Sequence, residues 1–193
     1  MRIFIVLVVI IVAVSFFPFD SFAQQPEVDN QSLKIYSVDV PETSVWKNNS
    51  DSYQLLFGRT LGAPLATVTL AAKSYPSPSE LDGSISKLLL RITEAANKEA
   101  KMSGRYQLIQ HSEKVADRSD LDCVEYEKVW VDHGGVATNW QKLNMQAKGH
   151  ICFHPDSPYI LVEVNYSTRD HSTLLHEKAI NEGEHFINSL KFD

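Results

Sequence analysis

The sequence has few cysteines and no run of basic residues, and both shortages narrow the classes of protein it can belong to. Two cysteines occur in 193 residues, so the chain must stabilise its fold with an ordinary hydrophobic core rather than with many disulfides. The formal net charge is −6 and the lysines and arginines are scattered, so we expect no nucleic-acid-binding and no anionic-lipid-binding surface. The sequence also lacks internal repeats and low-complexity tracts, which is typical of a single globular domain.

Motifs for the common catalytic chemistries are missing as well. The chain has no G-x-S-x-G nucleophile motif, no C-x-x-C redox pair and no cysteine and histidine spacing typical of a zinc site. The sequence therefore favours a protein that is not an enzyme, and nothing in it calls for a cofactor. A periplasmic hydrolase that uses scattered histidine and aspartate residues, or a metal-binding protein, is the alternative.

A long apolar run occurs only at the N-terminus. Arg2 precedes an unbroken apolar run over residues 3–14, and Ala23 ends a small-residue pattern typical of a signal-peptide cleavage site. The run has twelve residues, whereas a helix needs about 20 to span a bilayer, and no cysteine follows it to accept a lipid. Residues 1–23 therefore predict a signal peptide, export to a bacterial periplasm or the extracellular space, and no stable membrane span after cleavage.

The rest of the chain divides into a polar arm and one domain. Residues 24–51 are polar and interrupted by prolines, which predicts an N-terminal arm or linker with a candidate edge strand over residues 33–40. Residues 52–193 have the patterning of a single α+β globular domain. Cleavage after Ala23 would leave 170 of the 193 residues, a normal size for one domain.

Six segments of the domain predict strands and two predict helices. The strand segments are "SYQLLFG", "ATVTLAAKSY", "YQLIQHSEKVA", "DCVEYEKVWVD", "KLNMQAKGHICFH" and "YILVEVNYS". The first helix has one apolar face, formed by Leu81, Ile85, Leu88, Leu89, Ile92 and Ala96. Ser77 with Glu80 resembles a capping box at its start, although Gly83 would move that start to Ser84. The second helix lies near the C-terminus and has its apolar face at Leu175, Ala179, Phe186 and Leu190.

This order of elements predicts an α+β fold. Strands that follow one another directly indicate an antiparallel sheet of about five to seven strands, and two main helices must cover it. The order, together with the closing "FINSLKF", resembles the PsbP-like α/β/α sandwich of exported bacterial domains over residues 52–193. The resemblance implies a non-catalytic binding or assembly role outside the cytoplasm. A cystatin-like fold or another α+β fold is the alternative.

The two cysteines, Cys123 and Cys152, predict a disulfide because they form the only pair in a chain expected to be exported. If they lie opposite each other on neighbouring antiparallel strands, unlike charges meet on one face and apolar side chains on the other. The predicted pairs include Glu125 with His150, Glu127 with Lys148, Val124 with Ile151 and Trp130 with Met145. A tighter hairpin centred on "DHGG" competes with this register and would place Val131 across from Ala137.

Histidines near the second cysteine raise the question of a metal site. The segment "GHICFH" predicts a strand, in which His150 and His154 lie about 13 Å apart and cannot share one ion. His133, in a predicted loop, completes the set of weak metal candidates. We therefore expect no metal site, and we interpret these histidines as solvent-facing.

A candidate binding cleft lies where the last predicted strand ends. The segment "YSTRD" places polar groups there, and its Arg169, Asp170 and neighbouring His171 could line a cleft together with Trp140. An Arg169–Asp170 ion pair that fixes a loop is an equally good interpretation. Taken together, these patterns favour an exported, non-catalytic binding or assembly module whose partner is an unidentified protein or a small ligand.

Overall fold

The computed structural model describes residues 35–39, 45–61, 66–102, 104–133, 143–170 and 177–192, and its centre is an antiparallel sheet of seven strands. The strands are β1 (Tyr36–Ser37), β2 (Lys47–Asn48), β3 (Gln54–Thr60), β4 (Thr67–Pro76), β5 (Tyr106–Val115), β6 (Cys123–Asp132), β7 (Leu143–His154), β8 (Ser157–Asp170) and β9 (Lys191–Phe192). The helices are α1 (Ile85–Glu99) and α2 (Glu177–Asn188). The predicted α+β class, with an antiparallel sheet and two main helices, is confirmed.

The strand order of the sheet is β2-β3-β4-β8-β7-β6-β5, and all neighbours are antiparallel. Strands β5 to β8 form a continuous meander, and β8 closes the arrangement by pairing along the whole of β4. Strands β1 and β9 form a separate two-stranded sheet. The order places β8 at the centre of the large sheet, so its side chains lie in the middle of both faces.

The two helices pack on opposite faces of the sheet. Leu88 and Ile92 of α1 lie in a cluster with Val124 and Ile151. Phe186 and other apolar residues of α2 lie in a different cluster, against the apolar side chains of β4 and β8. Because successive residues of a strand point to opposite faces, β6, β7 and β8 each contribute to both clusters. The layers are therefore helix, sheet and helix.

Helix α1 begins later than a capping box at Ser77 would place it. Its N-cap is Ser84, whose Oγ accepts a hydrogen bond from the backbone N–H of Lys87 at 3.4 Å. Asp82 and Gly83 have positive φ angles of 45° and 78°, and this left-handed turn prevents a continuous helix from the earlier position. The capping-box interpretation is wrong, and the alternative start at Ser84 is confirmed.

The described part of the predicted N-terminal arm lies against the domain. Strand β1 pairs with β9, and the hydroxyl of Tyr36 donates a hydrogen bond to the carbonyl oxygen of Ala72 at 3.0 Å. Trp46 is buried, and the guanidinium of Arg59 lies 4.9 Å from the centre of its ring. These contacts join the arm to β3, β4 and the C-terminal strand.

The register predicted from the two cysteines is confirmed. Cys123 lies opposite Cys152 and forms a disulfide with it, and Glu127 lies opposite Lys148. Val131 lies opposite Asn144, so the short "DHGG" hairpin is wrong. The longer connection between β6 and β7 keeps unlike charges together on one face, as cross-strand pairing prefers.

Candidate functional site

Strand β8 has a row of polar side chains on the face of the sheet to which α1 binds. The row, called the β8 stripe from here on, consists of Glu163, Asn165, Ser167 and Arg169. Between them, Val164, Tyr166 and Thr168 are buried on the opposite face. Helix α1 packs mainly over β5 and β6, so the four stripe residues are only partly buried. A polar, accessible row at the centre of a sheet makes the β8 stripe the candidate site.

The first end of the stripe is a hydrogen-bonded cluster around Glu163. The hydroxyl of Tyr126 donates to Glu163 Oε1 at 2.7 Å, and Lys73 Nζ lies 3.1 Å from Oε2. The side-chain amide of Asn165 also donates to Oε1, at 3.4 Å. Burial raises the pKa of Tyr126 well above its usual value, and the negative charge of Glu163 raises it further. Tyr126 therefore stays protonated and acts as a hydrogen-bond donor.

Gly149 makes room for this cluster. It lies on β7 directly between Tyr126 of β6 and Asn165 of β8. A Cβ atom at this position would lie 2.6 Å from Cβ of Asn165 and even closer to the carbonyl oxygen of Val164. The missing side chain lets Tyr126 reach across β7 to the carboxylate of Glu163.

The other end of the stripe is an ion-pair cluster around Asp132. The Asp132 side chain is fully buried, and its Oδ2 lies 2.6 Å from Nη2 of Arg169. Arg105 binds the same carboxylate through two hydrogen bonds of 2.8 and 3.0 Å. This hydrogen bonding raises the pKa of Arg105 above its ordinary value. Two guanidinium groups thus surround one carboxylate and join the region just before β5 to the ends of β6 and β8.

On the opposite face, polar groups join the sheet to α2. Lys148 Nζ lies 2.8 Å from Oε1 of Glu184, which also accepts a hydrogen bond from the hydroxyl of Tyr166 at 3.2 Å. Gly183 lets the helix approach closely, because a Cβ there would lie 2.5 Å from the ring of Tyr166. Every one of these groups has a partner in the fold, so this face has a structural role.

The structure separates the residues of the cleft predicted from the sequence. Arg169 lies on the β8 stripe, whereas Asp170, the next residue of the strand, is buried on the α2 face. Arg169 forms its ion pair with Asp132, 37 residues away. His171 and Trp140 lie outside the described residues.

Glu163 and Asn165 were not predicted, whereas Ser167 belongs to the segment "YSTRD" from which the cleft was predicted. The segment "VEVNYS" contains the signal that would have found them, because its polar residues occur at every second position and Val162, Val164 and Tyr166 alternate with them. That alternation indicates a strand with one polar face, and here the strand is central in the sheet.

The three weak metal candidates do not come together. His133 is exposed, with Nε2 3.0 Å from Oε1 of Gln107. His150 and His154 both lie on β7 and are buried, so their interpretation as solvent-facing is wrong. His154 Nδ1 accepts a hydrogen bond from the backbone of Asp156, and its ring packs against Phe192. Within the described ranges, no three or more histidine, cysteine or acidic side chains form a group that could hold a metal ion.

No protein-family model matches the chain, and no curated protein matches it either. In the part of the chain that the structure describes, neither helix has the length and apolar character needed to cross a membrane. The β8 stripe offers hydrogen-bond donors and acceptors, and its carboxylate Glu163 already interacts with three groups.

Proposed function

We propose that the protein is an exported, non-catalytic binding or assembly module, related to the PsbP-like sandwiches, that binds a partner protein along the β8 stripe. One observation supports this most directly. Over residues 162–167 the central strand β8 is apolar on the face covered by α2, and the β8 stripe on the other face is polar and partly accessible. The predicted signal peptide and the disulfide support a role outside the cytoplasm.

The spacing of the stripe suits an extended polypeptide. Alternate residues of a strand repeat at roughly 7 Å, and an extended segment of a partner repeats its own side chains at the same interval. Asn165 and Ser167, in the middle of the row, can each donate and accept a hydrogen bond. Arg169 is partly exposed and adds a donor group at one end.

The chemistry of the stripe supports binding rather than catalysis. Catalysis would need an activated nucleophile, or an acid and base positioned to exchange protons. Glu163 instead accepts from Tyr126 and Asn165 and pairs with Lys73. The raised pKa of Tyr126 keeps its hydroxyl protonated at neutral pH. The cluster is therefore a fixed, hydrogen-bonded end of the surface.

A photo-crosslinking experiment tests the proposal. The photoreactive residue p-benzoylphenylalanine replaces Ser167 in the full-length chain, expressed in the native host. Ser86 is the matched control position, because it is exposed on α1, away from the stripe. We expect irradiation to give a discrete cross-linked protein from position 167 and not from position 86. A second substitution, Asn165→Ala, should reduce that product severalfold without lowering the thermal midpoint of the protein.

Two outcomes would contradict the proposal. Cross-linking of equal strength from both positions would show that the stripe has no preference for a partner. If the protein is exported and folded but position 167 gives no cross-linked product, the proposal that a partner protein binds the β8 stripe is wrong.

A further inference from the structure

The two edges of the seven-stranded sheet differ in how they are protected. At the first edge, β2 has only two residues, and the chain beside it satisfies the backbone of β3. The N–H of Asn49 donates to the carbonyl oxygen of Leu56, and the N–H of Leu56 donates to Ser50 Oγ. At the other edge, β5 is a ten-residue strand. A long edge strand is a template on which another strand can pair.

Exposed apolar side chains lie along the β5 edge. Ile109 is 56% exposed and Val115 is 50% exposed. Gln110, Ser112 and Lys114 are exposed between them. Two large apolar residues near the ends of an otherwise polar edge are costly to leave in water. Their burial would favour a strand that presents apolar groups at the same spacing.

We propose that the β5 edge pairs antiparallel with the β5 edge of a second copy of this chain, with Ser112 on the two-fold axis. The sheets of the two copies then continue into each other. This surface is separate from the β8 stripe, so the proposal does not rest on the proposed function.

Symmetry leaves few registers for such a pairing. The two-fold axis that relates antiparallel edge strands is perpendicular to the sheet, so the faces of the two copies coincide. Directly opposite residues must also point to the same face. The numbers of two residues that lie opposite each other must therefore have an even sum. The axis then passes through one residue, which lies opposite its own copy. The registers with long overlap are centred on His111, Ser112 or Glu113.

The register centred on Ser112 is self-complementary. It places Ile109 opposite Val115 of the second copy, so the two exposed apolar residues cover each other. His111 lies opposite Glu113 of the second copy, and within one chain these two side chains already lie 3.2 Å apart. Lys114 lies opposite Gln110, so no like charges face each other. Apolar and opposite-charge pairs are the cross-strand combinations that stabilise a sheet.

The neighbouring registers are worse. Centring on His111 places Ile109 opposite Glu113 and Leu108 opposite Lys114, so apolar groups face charges. Centring on Glu113 places the two Glu113 carboxylates opposite each other, which is destabilising. Of the three registers, only the one centred on Ser112 pairs the exposed apolar residues with each other and avoids opposing like charges.

Two features of β5 that protect an edge also limit the size of the assembly. The register of β5 against β6 shifts between Leu108 and Gln110, and a bulge of this kind ends regular pairing on the N-terminal side of Ile109. The second feature is Lys114, because a charged side chain on an edge strand opposes further pairing. The pairing is therefore confined to residues 109–115, within which Lys114 faces an uncharged residue. Because the other edge of the sheet is protected at β2 and β3, the association closes at two copies.

Cysteine cross-linking tests the register. Ser112→Cys places two thiols opposite each other on the axis, at a Cβ separation of roughly 4.5–5.5 Å, so we expect a disulfide-linked dimer on mild oxidation. Ser119→Cys, exposed in the loop before β6, is the matched control and should stay a monomer. Gln110→Cys mixed with Lys114→Cys should give the mixed dimer. Neither should link to itself, because like positions are about 13 Å apart.

Measurements in solution complete the test. Light scattering of the mature protein should give the mass of a dimer at about 100 μM, where even a micromolar dimer is nearly fully formed. Ile109→Lys combined with Val115→Lys should raise the dissociation constant at least tenfold, with an unchanged circular dichroism spectrum. A monomer under these conditions overturns the proposal. So does a dimer in which Ser112→Cys links no better than Ser119→Cys, because the copies then meet elsewhere.

Discussion

At the residue scale, Gly149 lies between Tyr126 and Asn165 in the sheet and has no room for a side chain. The atoms that a side chain at this position would meet first belong to the backbone of Val164 and to Asn165. Backbone atoms in the middle of a sheet cannot move without breaking ladder hydrogen bonds. Gly104, in contrast, has no atom within 4 Å of the place where a Cβ would lie.

Gly149→Ala should therefore destabilise the protein by about 1–3 kcal/mol, the usual cost of overpacking. Gly104→Ala is the matched control and should change the free energy of unfolding by less than about 0.5 kcal/mol. Urea denaturation of both variants measures the difference. Equal stabilities for the two variants would mean that β7 and β8 can separate at no cost.

His150 gives the protein a pH-dependent stability. Burial lowers its pKa below the ordinary value, as do the charges of Arg118 and Lys148, while Glu125 and Glu184 act in the opposite direction. When the folded pKa is lower, the unfolded chain binds the proton first as the pH falls. This histidine therefore costs no stability above about pH 6.5, and the fold loses stability below that pH until the folded pKa is reached.

The expected result is a steeper loss of stability in the wild type than in His150→Gln between about pH 7.5 and 5.5. Urea denaturation at several pH values gives the two slopes. His133→Gln, at an exposed position, should keep the wild-type slope. Identical slopes for the wild type and His150→Gln would assign the pH dependence to other groups.

At the scale of elements, the disulfide fixes β6 against β7. It joins residues 29 positions apart in the sequence, and closing such a loop in the unfolded chain stabilises the fold by about 3–4 kcal/mol in the loop-entropy model. The strands also have their own ladder, the Glu125–Lys148 ion pair and the hydrogen bond from Gln146 to Glu127. We therefore expect Cys123→Ala with Cys152→Ala to fold in the same register but to lose most of this free energy.

Thermal or urea denaturation measures the loss, and reduction of the wild type should reproduce it. A double variant as stable as the oxidised protein would contradict the prediction. In exported material, mass spectrometry after non-reducing digestion should find the two cysteine peptides linked.

The elements themselves were largely predictable from the sequence, because alternation and cysteine spacing are local signals. Alternating segments marked β3 to β8, and the two cysteines fixed the pairing of β6 with β7. The start of α1 was harder to predict. The capping pattern at Ser77 indicates an early start, whereas the left-handed turn at Asp82 and Gly83 delays the helix. The pairing of β1 with β9 joins opposite ends of the chain, and no local pattern indicates it.

At the scale of the whole molecule, the candidate site depended on packing that the sequence does not contain. Alternation in β8 indicates which residues share a face, but not which part of that face α1 leaves accessible. Arg169 was found from its position at a strand end, whereas its partner Asp132 lies on another strand of the sheet. The separation of Arg169 from Asp170 follows from the two-residue period once β8 is known to extend through both.

The pairing of Tyr36 with Phe192 also bears on how the chain could be rearranged. Antiparallel partners lie roughly 4.5–5.5 Å apart at their Cα atoms, so the first and last described strands meet side by side. A short linker could join them without moving either strand, and new ends could be opened in the exposed loop around Ser119. Circular permutation would then leave the seven-stranded sheet intact, and the order in which the ribosome makes its strands would not be a requirement of the fold.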